Sequence, residues 1–223
     1  MVDQAAPEVT PAILAVEQSA SGRRWESREG DDRLARAISQ KYDLPDVVGR
    51  LLVARGVDID DVDGYLNPTL KDLLPNPSVL QDMDKAAARL SEAIQKGEKI
   101  AIFGDYDVDG ATSSALLTRF FSAVSTPPRI YIPDRLKEGY GPTSDAMTLL
   151  AGEGARVVVT VDCGISSFDP LTVAKEAGLE VIVVDHHVAE ATLPEAVAVI
   201  NPNRLDEDGS LGHLAAVGVA FLL

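Results

Sequence analysis

Apolar runs alternate with helical patterns in the second half of the chain. The runs carry no polar alternation and lie at 99–103, 129–132, 157–161, 180–184 and 197–200. Such runs are typical of strands buried on both faces. The helical patterns between them cover 110–124, 142–150 and 168–177. Because alternating strands and helices form βαβ units, we predict an α/β fold with a mainly parallel sheet and helices on both of its faces.

The first half of the chain has a different pattern. Apolar residues recur at helical spacing over 31–98, with breaks at Gly56, Asn67 and Gly97. Residues 1–30 mix Ala, Pro, Ser and charged residues without a period. We therefore predict three parts: a flexible leader over 1–30, a short helical amino-terminal segment over 31–98, and an α/β domain over 99–223.

Charge and composition exclude several classes of protein. The net charge is −15, which disfavours a partner held by general attraction to polyanions. Two short helices could suggest a helix-turn-helix DNA reader, but 58–63 holds four aspartates and no basic residue. Cys163 is the one cysteine, so no internal disulfide forms. Without a secretory signal or an apolar stretch of membrane-spanning length, we expect a cytoplasmic protein with no membrane partner.

Acidic and histidine side chains follow three of the predicted strands. The first strand leads into Asp105, Asp107 and Asp109, the third into Asp162, and the fourth into the run 185–187, which is Asp-His-His. The carboxyl ends of parallel strands meet at one edge of the sheet. Crowded carboxylates repel one another unless cations bind them, so the pattern predicts a divalent metal site suited to Mn²⁺ or Mg²⁺. Taken alone, Asp162 could instead cap the helix that follows it.

The same residues carry a family resemblance. The segments FGDYDVDGATS, VTVDCGISS and VIVVDHH resemble the first three motifs of the DHH phosphoesterase superfamily. The flanking segments IPDRLKEGYG and VINPNR are most similar to its RecJ branch, the bacterial single-strand-specific exonucleases. The resemblance extends from about residue 30 to residue 223, and it implies that 99–223 is a DHH phosphoesterase domain.

The resemblance also implies roles for individual residues. Asp162 would bridge two metal ions in catalysis, and His187 would face the scissile phosphate. The other implied metal ligands are Asp107, Asp109, His186 and, as a ligand or a neighbour of one, Asp105. The implied substrate-binding residues are Arg135, Tyr140, Gly110 and Thr112. Arg135 could instead pair with Glu138, and Thr112 could be an ordinary residue of a first helical turn.

The function implied by the resemblance is metal-dependent 5′→3′ exonuclease action on single-stranded DNA in DNA repair and recombination. Partners would include a single-strand-binding protein or a helicase, contacted through further domains. In the family another aspartate motif follows the segment GVAF, so we expect a fragment truncated at its carboxyl end and inactive alone. A helix from about His213 is expected to expose five apolar residues: Val217, Val219, Phe221, Leu222 and Leu223.

Three alternatives stay open at this point. A DHH-family enzyme could hydrolyse small oligonucleotides, cyclic dinucleotides or pyrophosphate instead. The run Asp107-Val108-Asp109-Gly110 after a strand also resembles the nucleophile motif of aspartyl-phosphate phosphatases of the haloacid dehalogenase type. A truncated domain that only binds partners is the third alternative. A metal-dependent nuclease assay separates the enzymes from the binding domain.

Overall fold

The computed structural model describes residues 12–26 and 30–223. The predicted flexible leader lies partly outside these residues, at 1–11 and 27–29. The chain divides into two compact units, Met1–Leu74 and Pro75–Leu223. Within the described residues, no helix is both long and apolar enough to cross a membrane.

The first unit is helical. A 3₁₀ turn at Ile13–Ala15 precedes four helices: α1 (Asp32–Tyr42), α2 (Asp46–Ala54), α3 (Val62–Leu66) and α4 (Leu70–Leu73). Asp31 caps α1 by accepting the amides of Arg33 and Leu34. Helices α1 and α2 approach closely, since a Cβ on Gly49 would lie 2.4 Å from the carbonyl oxygen of Ala35. A small core forms from Ile38, Leu52, Val57 and Val62.

The second unit contains the predicted sheet. Its helices are α5 (Met83–Lys96), α6 (Val108–Ala123), α7 (Ser144–Gly152), α8 (Phe168–Glu176) and α9 (Ala216–Leu222). Its strands are β1 (Ile100–Gly104), β2 (Arg129–Tyr131), β3 (Val157–Val161), β4 (Glu180–Val184) and β5 (Ala198–Ile200). All four strand pairings are parallel, in the order β2-β1-β3-β4-β5. The predicted α/β class and its five strands are confirmed.

Alternate residues of the central strands enter two separate cores. Ile102, Val159 and Ile182 pack with α5, α6 and α9 on one face. Phe103, Val158 and Val183 pack with α7 and α8 on the other. Burial on both faces explains why the strands read as continuous apolar runs. The last helix of the predicted 31–98 segment, α5, thus contributes to the core of the sheet.

Helix α9 differs from the expectation at two positions, Val219 and Leu222, which are both buried. Val219 is fully buried, because α9 packs against the sheet face that also carries α6. Val217 is partly buried, and Phe221 is half-exposed as expected. The expectation of exposure was wrong for Val219 and Leu222 because the periodicity of a short apolar helix does not show which side meets a neighbour.

Phe103 gives a direct test of the core. Its ring is fully buried and stacks on Tyr131 with centroids 5.3 Å apart. We expect Phe103→Ala to lower the free energy of unfolding by about 3–5 kcal/mol, because it leaves a cavity between sheet and helices. Chemical denaturation measures the change. Leu136→Ala is the control, since Leu136 is 97% exposed, and an equal loss in both variants would contradict the packing described.

Candidate metal centre

The polar loops after β1, β3 and β4 lie side by side. Gly104 pairs with Val161, and Val161 pairs with Val184, so the three strands end in register. Asp105, Asp162 and Asp185 each follow one of these ends directly. The chain leaves β1 toward β2 on one side and β3 lies on the other, which makes this edge the switch point where open α/β sheets bind ligands.

The loop after β1 is held in a compact shape by its own carboxylates. Asp107 precedes α6, and its Oδ1 accepts the amides of Asp109 and Gly110 at 3.0 Å each. The hydrogen bond from Gly110 is the main reason why the pKa of Asp107 is lowered. A Cβ on Gly110 would lie 2.5 Å from the carbonyl oxygen of Asp105. Only glycine therefore allows the loop to lie this close to α6.

Asp109 connects this loop to α9. Its Oδ2 accepts the amide of Ala216 at 3.0 Å, and its Oδ1 accepts that of Val217 at 2.9 Å. The same Oδ2 lies 3.6 Å from Nε2 of His186. Asp109 therefore fixes the first turn of α9 and still borders the imidazole that was predicted to bind metal.

Asp162 has the most unusual surroundings of the predicted ligands. Its backbone is left-handed, with φ +62°, and its side chain is only 3% exposed. Its Oδ1 lies 3.2 Å from Nε2 of His186. Burial, contact with Asp107 and the charge of Asp109 together raise the pKa of Asp162 to about 7. The alternative role as a cap of α8 is wrong, because Ser167 occupies that position.

Two groups of ligand atoms meet at Asp162. Oxygens of Asp105, Asp107 and Asp162 lie within 4.8 Å of one another, and so do ligand atoms of Asp162, His186 and His187. A buried carboxylate crowded by other carboxylates is stabilised by a divalent cation, and oxygen donors with imidazole suit Mn²⁺. The donor set therefore fits a pair of ions with Asp162 shared between them. In the second group His187, which was predicted to face the phosphate, takes the place of the predicted ligand Asp109. The assignment of each ligand stays a prediction.

His187 lies beside the centre and contacts a second carboxylate. Its Nδ1 is 2.7 Å from Oδ1 of the fully buried Asp185. Tyr140 donates its hydroxyl to the carbonyl of Asp162 at 2.8 Å, and its ring packs edge-on against His187. Burial opposes charging of His187, but the hydrogen bond to Asp185 and the nearby carboxylates leave its pKa raised.

Two asparagines that sequence reasoning had given no role hold the histidine loop. Asn201 donates its side-chain amide to the carbonyl of His187 at 2.9 Å, and Asn203 donates to that of His186. The backbone amide of Asn203 in turn donates to Oδ1 of Asn201. The signal was available, because Asn-Pro-Asn follows β5 directly and so lies at the same edge of the sheet.

The structure brings Arg135 and Tyr140 together at this edge. The guanidinium of Arg135 lies 5.0 Å from the ring centroid of Tyr140 and 5.3 Å from that of Tyr106. Tyr106, which sequence reasoning missed, is 56% exposed. Within the described part of the chain Arg135 forms no ion pair with Glu138, whose carboxylate accepts the Tyr131 hydroxyl and the Asp134 amide instead.

The two other predicted substrate-binding residues are already engaged within the start of α6. The hydroxyl of Thr112 donates to the carbonyl of Val108 at 2.6 Å. The amide of Gly110 donates to Asp107. Neither group is thus free to bind an anion in this conformation, although a role for them in substrate binding stays a prediction.

Comparison with known proteins decides the family. The model of the DHH family, N-terminal domain, matches residues 99–223, which is more than half of the chain. The chain belongs to the DHH family. This membership leaves the alternative of an aspartyl-phosphate phosphatase without support.

Two relatives of this chain are exonucleases by name. The chain is 37% identical over 204 residues to the single-stranded-DNA-specific exonuclease RecJ of Bacillus subtilis (strain 168), covering 92% of this chain and 26% of the relative. The RecJ of Escherichia coli (strain K12) is 38% identical, over 81% of this chain and 31% of the relative. The chain thus spans about a quarter to a third of the length of these relatives.

Two solved structures share the fold. RecJ from Thermus thermophilus in complex with Mn²⁺ matches with a TM-score of 0.66 and 30% identity, over 86% of this chain and 26% of that one. An exonuclease RecJ bound to manganese matches with a TM-score of 0.59 and 38% identity, over 64% of this chain and 36% of that one. The RecJ resemblance inferred from the motifs is therefore confirmed.

The raised pKa of Asp162 predicts a pH-dependent cost to folding without metal. The folded chain keeps a proton on Asp162 up to about pH 7, whereas an unfolded aspartate loses it near about pH 4, so stability falls between these values. Asp162→Asn removes the titrating group, and asparagine tolerates the left-handed backbone. In EDTA we expect the variant to gain about 1 kcal/mol or more at about pH 8 and almost nothing at about pH 4.

Denaturation at both pH values measures this gain. The control is Glu176→Gln, which removes an exposed carboxylate in the last turn of α8, away from the strand ends that carry the centre. It should change stability little at either pH. A wild type as stable as Asp162→Asn at the higher pH would show that the crowded carboxylates do not repel one another as described.

Proposed function

We propose that the chain is the part of a metal-dependent phosphodiesterase that carries the ion-binding centre, and that the enzyme removes nucleotides from single-stranded DNA in the 5′→3′ direction. The observation that carries the proposal is the buried Asp162 between the Asp107 and Asp109 carboxylates and His186. The names of the RecJ relatives support the substrate. Action in DNA repair and recombination, in the cytoplasm, is part of the same proposal.

Asp105, Asp107 and Asp162 would hold one cation, and Asp109, Asp162 and His186 would hold the other. A pair of divalent cations supplies charge neutralisation for a phosphodiester and acidifies water. The side chains around the cations hold the ligand oxygens in place and face the substrate. Asp107 and Asp109 are held by helix amides, so their oxygens stay in place. His187 is free to face a phosphate on the exposed side of the centre.

Single-strand recognition would come from the Arg135, Tyr106 and Tyr140 cluster. Exposed aromatic rings stack with unpaired bases, whereas bases in a duplex already stack on one another. Arg135 lies over both rings and offers a positive charge to the DNA backbone. In a chain of net charge −15, such local contacts and the cations have to provide most of the affinity.

The proposed protein partners are a single-strand-binding protein or a helicase. A single-strand-binding protein or a helicase would contact other parts of the complete protein, since the implied contacts come from domains beyond the DHH domain. Nothing in the geometry of the metal centre requires such a partner. Its chemistry depends on the loops after β1, β3 and β4.

Metal binding gives the first test of the proposal. We expect Asp162→Asn to weaken Mn²⁺ binding at least about 100-fold, since even loss of an outer contact costs about 10–100-fold. Isothermal titration calorimetry on the chain measures the affinity, with Glu176→Gln as the control. His186→Ala should also lose affinity, whereas His187→Ala should keep most of it. In the complete protein, His187→Ala should lose turnover. Unchanged binding in Asp162→Asn would rule out the centre.

Strand preference gives the second test. In the complete protein with Mn²⁺, we expect 5′-end cleavage of a single strand to be at least about tenfold faster than that of the blunt duplex. Arg135→Ala should raise the KM for the single strand, and Arg119→Ala, which removes the same charge from an exposed position of α6, should not. Equal rates on both DNAs, or cleavage of cyclic dinucleotides alone, would contradict the proposal.

A further inference from the structure

Asp185 is a fully buried carboxylate surrounded by donors. Its Oδ2 accepts the amide of Ile165 at 3.0 Å. Its Oδ1 accepts the amides of His186 and His187 at 2.7 and 3.2 Å. The same Oδ1 lies 2.7 Å from Nδ1 of His187.

These contacts determine which ring nitrogen of His187 carries a proton. A carboxylate only accepts hydrogen bonds, so the proton between Asp185 and His187 belongs to Nδ1. Nε2 is then the ring nitrogen left for another partner. The side chain of His187 is 48% exposed, so a ligand can reach it.

Asp185 holds the backbone amide of His187, but two other contacts of this residue do not involve Asp185. Asn201 holds the carbonyl of His187, and Tyr140 packs edge-on against its ring at a centroid distance of 5.9 Å. What these contacts leave open is the identity of the protonated nitrogen and the rotation of the ring about its own bond. Nδ1 lies 2.7 Å from Oδ1 of Asp185 and 3.4 Å from the hydroxyl of Tyr140, which itself donates to the carbonyl of Asp162. Asp185 is therefore the nearer of two acceptors for a proton on Nδ1.

We propose that Asp185 is a positioning residue that acts through His187: it holds Nδ1 in the protonated form and thereby directs Nε2 toward the phosphodiester. The proposal rests on the proposed function for its substrate, but the proton position itself does not depend on any substrate. A purely structural role, tying the loop after β3 to the loop after β4 through Ile165, is the competing explanation.

The proton position is measured directly by ¹⁵N NMR of the metal-free chain at about pH 9, where an ordinary imidazole is neutral. The chain has three histidines, and His187→Gln assigns the signal of His187. We expect the Nδ1–H form in the wild type and a shift toward the Nε2–H form in Asp185→Asn, whose amide can donate. A wild-type His187 in the Nε2–H form overturns the proposal, whether or not Asp185→Asn folds.

A double-mutant cycle then separates positioning from structure. In the complete protein with Mn²⁺, Asp185→Asn should lower kcat about 10²-fold with little change in KM for single-stranded DNA. In a His187→Ala background, the same substitution should cause no further loss of kcat. Equal losses in both backgrounds would show that Asp185 acts independently of His187, and the proposal would fail.

Metal affinity and the wild-type rate keep the two proposals distinct. Asp185→Asn should bind Mn²⁺ within about threefold of the wild type, because the carboxylates of the centre are unchanged; a loss as large as in Asp162→Asn would overturn the positioning role. If the wild type cleaves no DNA at all, the proposed function fails. The proton position of His187 still decides the role of Asp185 in that case.

Discussion

The site depends on the parallel register of β1, β3 and β4. Because Gly104, Val161 and Val184 are paired in line, the three loops that follow begin at the same level of the sheet. A shift of one residue would turn every side chain of a strand to the opposite core. Because each sheet face packs against a different set of helices, a shifted strand would lose its packing on both faces, which stabilises the observed register. The register in turn brings carboxylates from distant parts of the chain together.

The carboxylates of the centre are stabilised unevenly. Asp107 and Asp109 accept amides at the starts of α6 and α9, and the amide of Gly110 lowers the pKa of Asp107. Asp162 faces them from a buried position, and its pKa is raised. The fold thus gives Asp107 and Asp109 amide partners at the starts of helices, and among the described residues the side chain of Asp162 has no such partner. A buried carboxylate crowded by two others lowers the stability of the metal-free protein. In a cation-binding protein the same carboxylate serves as a ligand.

Sequence reasoning predicted the sheet and the cluster because both follow from short-range rules. Apolar runs marked all five strands, and the position of polar residues after three strands marked the edge where they meet. It failed where the answer depends on packing. The burial of Val219 and the contact between Asp109 and α9 join residues far apart in the chain, and no local pattern indicates them.

The same limit applies to the residues around the centre. Tyr106 and Arg135 come together only because the loops after β1 and β2 are neighbours, which requires knowledge of the strand order. Asn201 and Asn203 were visible in the sequence, but their targets are backbone carbonyls, which look alike in any sequence. For Thr112 the sequence indicated a role that the structure does not support directly. Its hydroxyl was predicted to bind substrate, but it donates to a carbonyl of its own helix.

The close approach of Gly110 to the backbone of Asp105 restricts how this chain can evolve. Any side chain at position 110 would place a carbon 2.5 Å from a main-chain atom that cannot move without displacing the loop. The exposed positions Val108 and Ala111 on α6 can vary, but position 110 cannot change by single steps, because every intermediate distorts the loop that precedes the helix. Variation in the metal centre must therefore come from its side chains, while the path of the backbone beneath them stays constant.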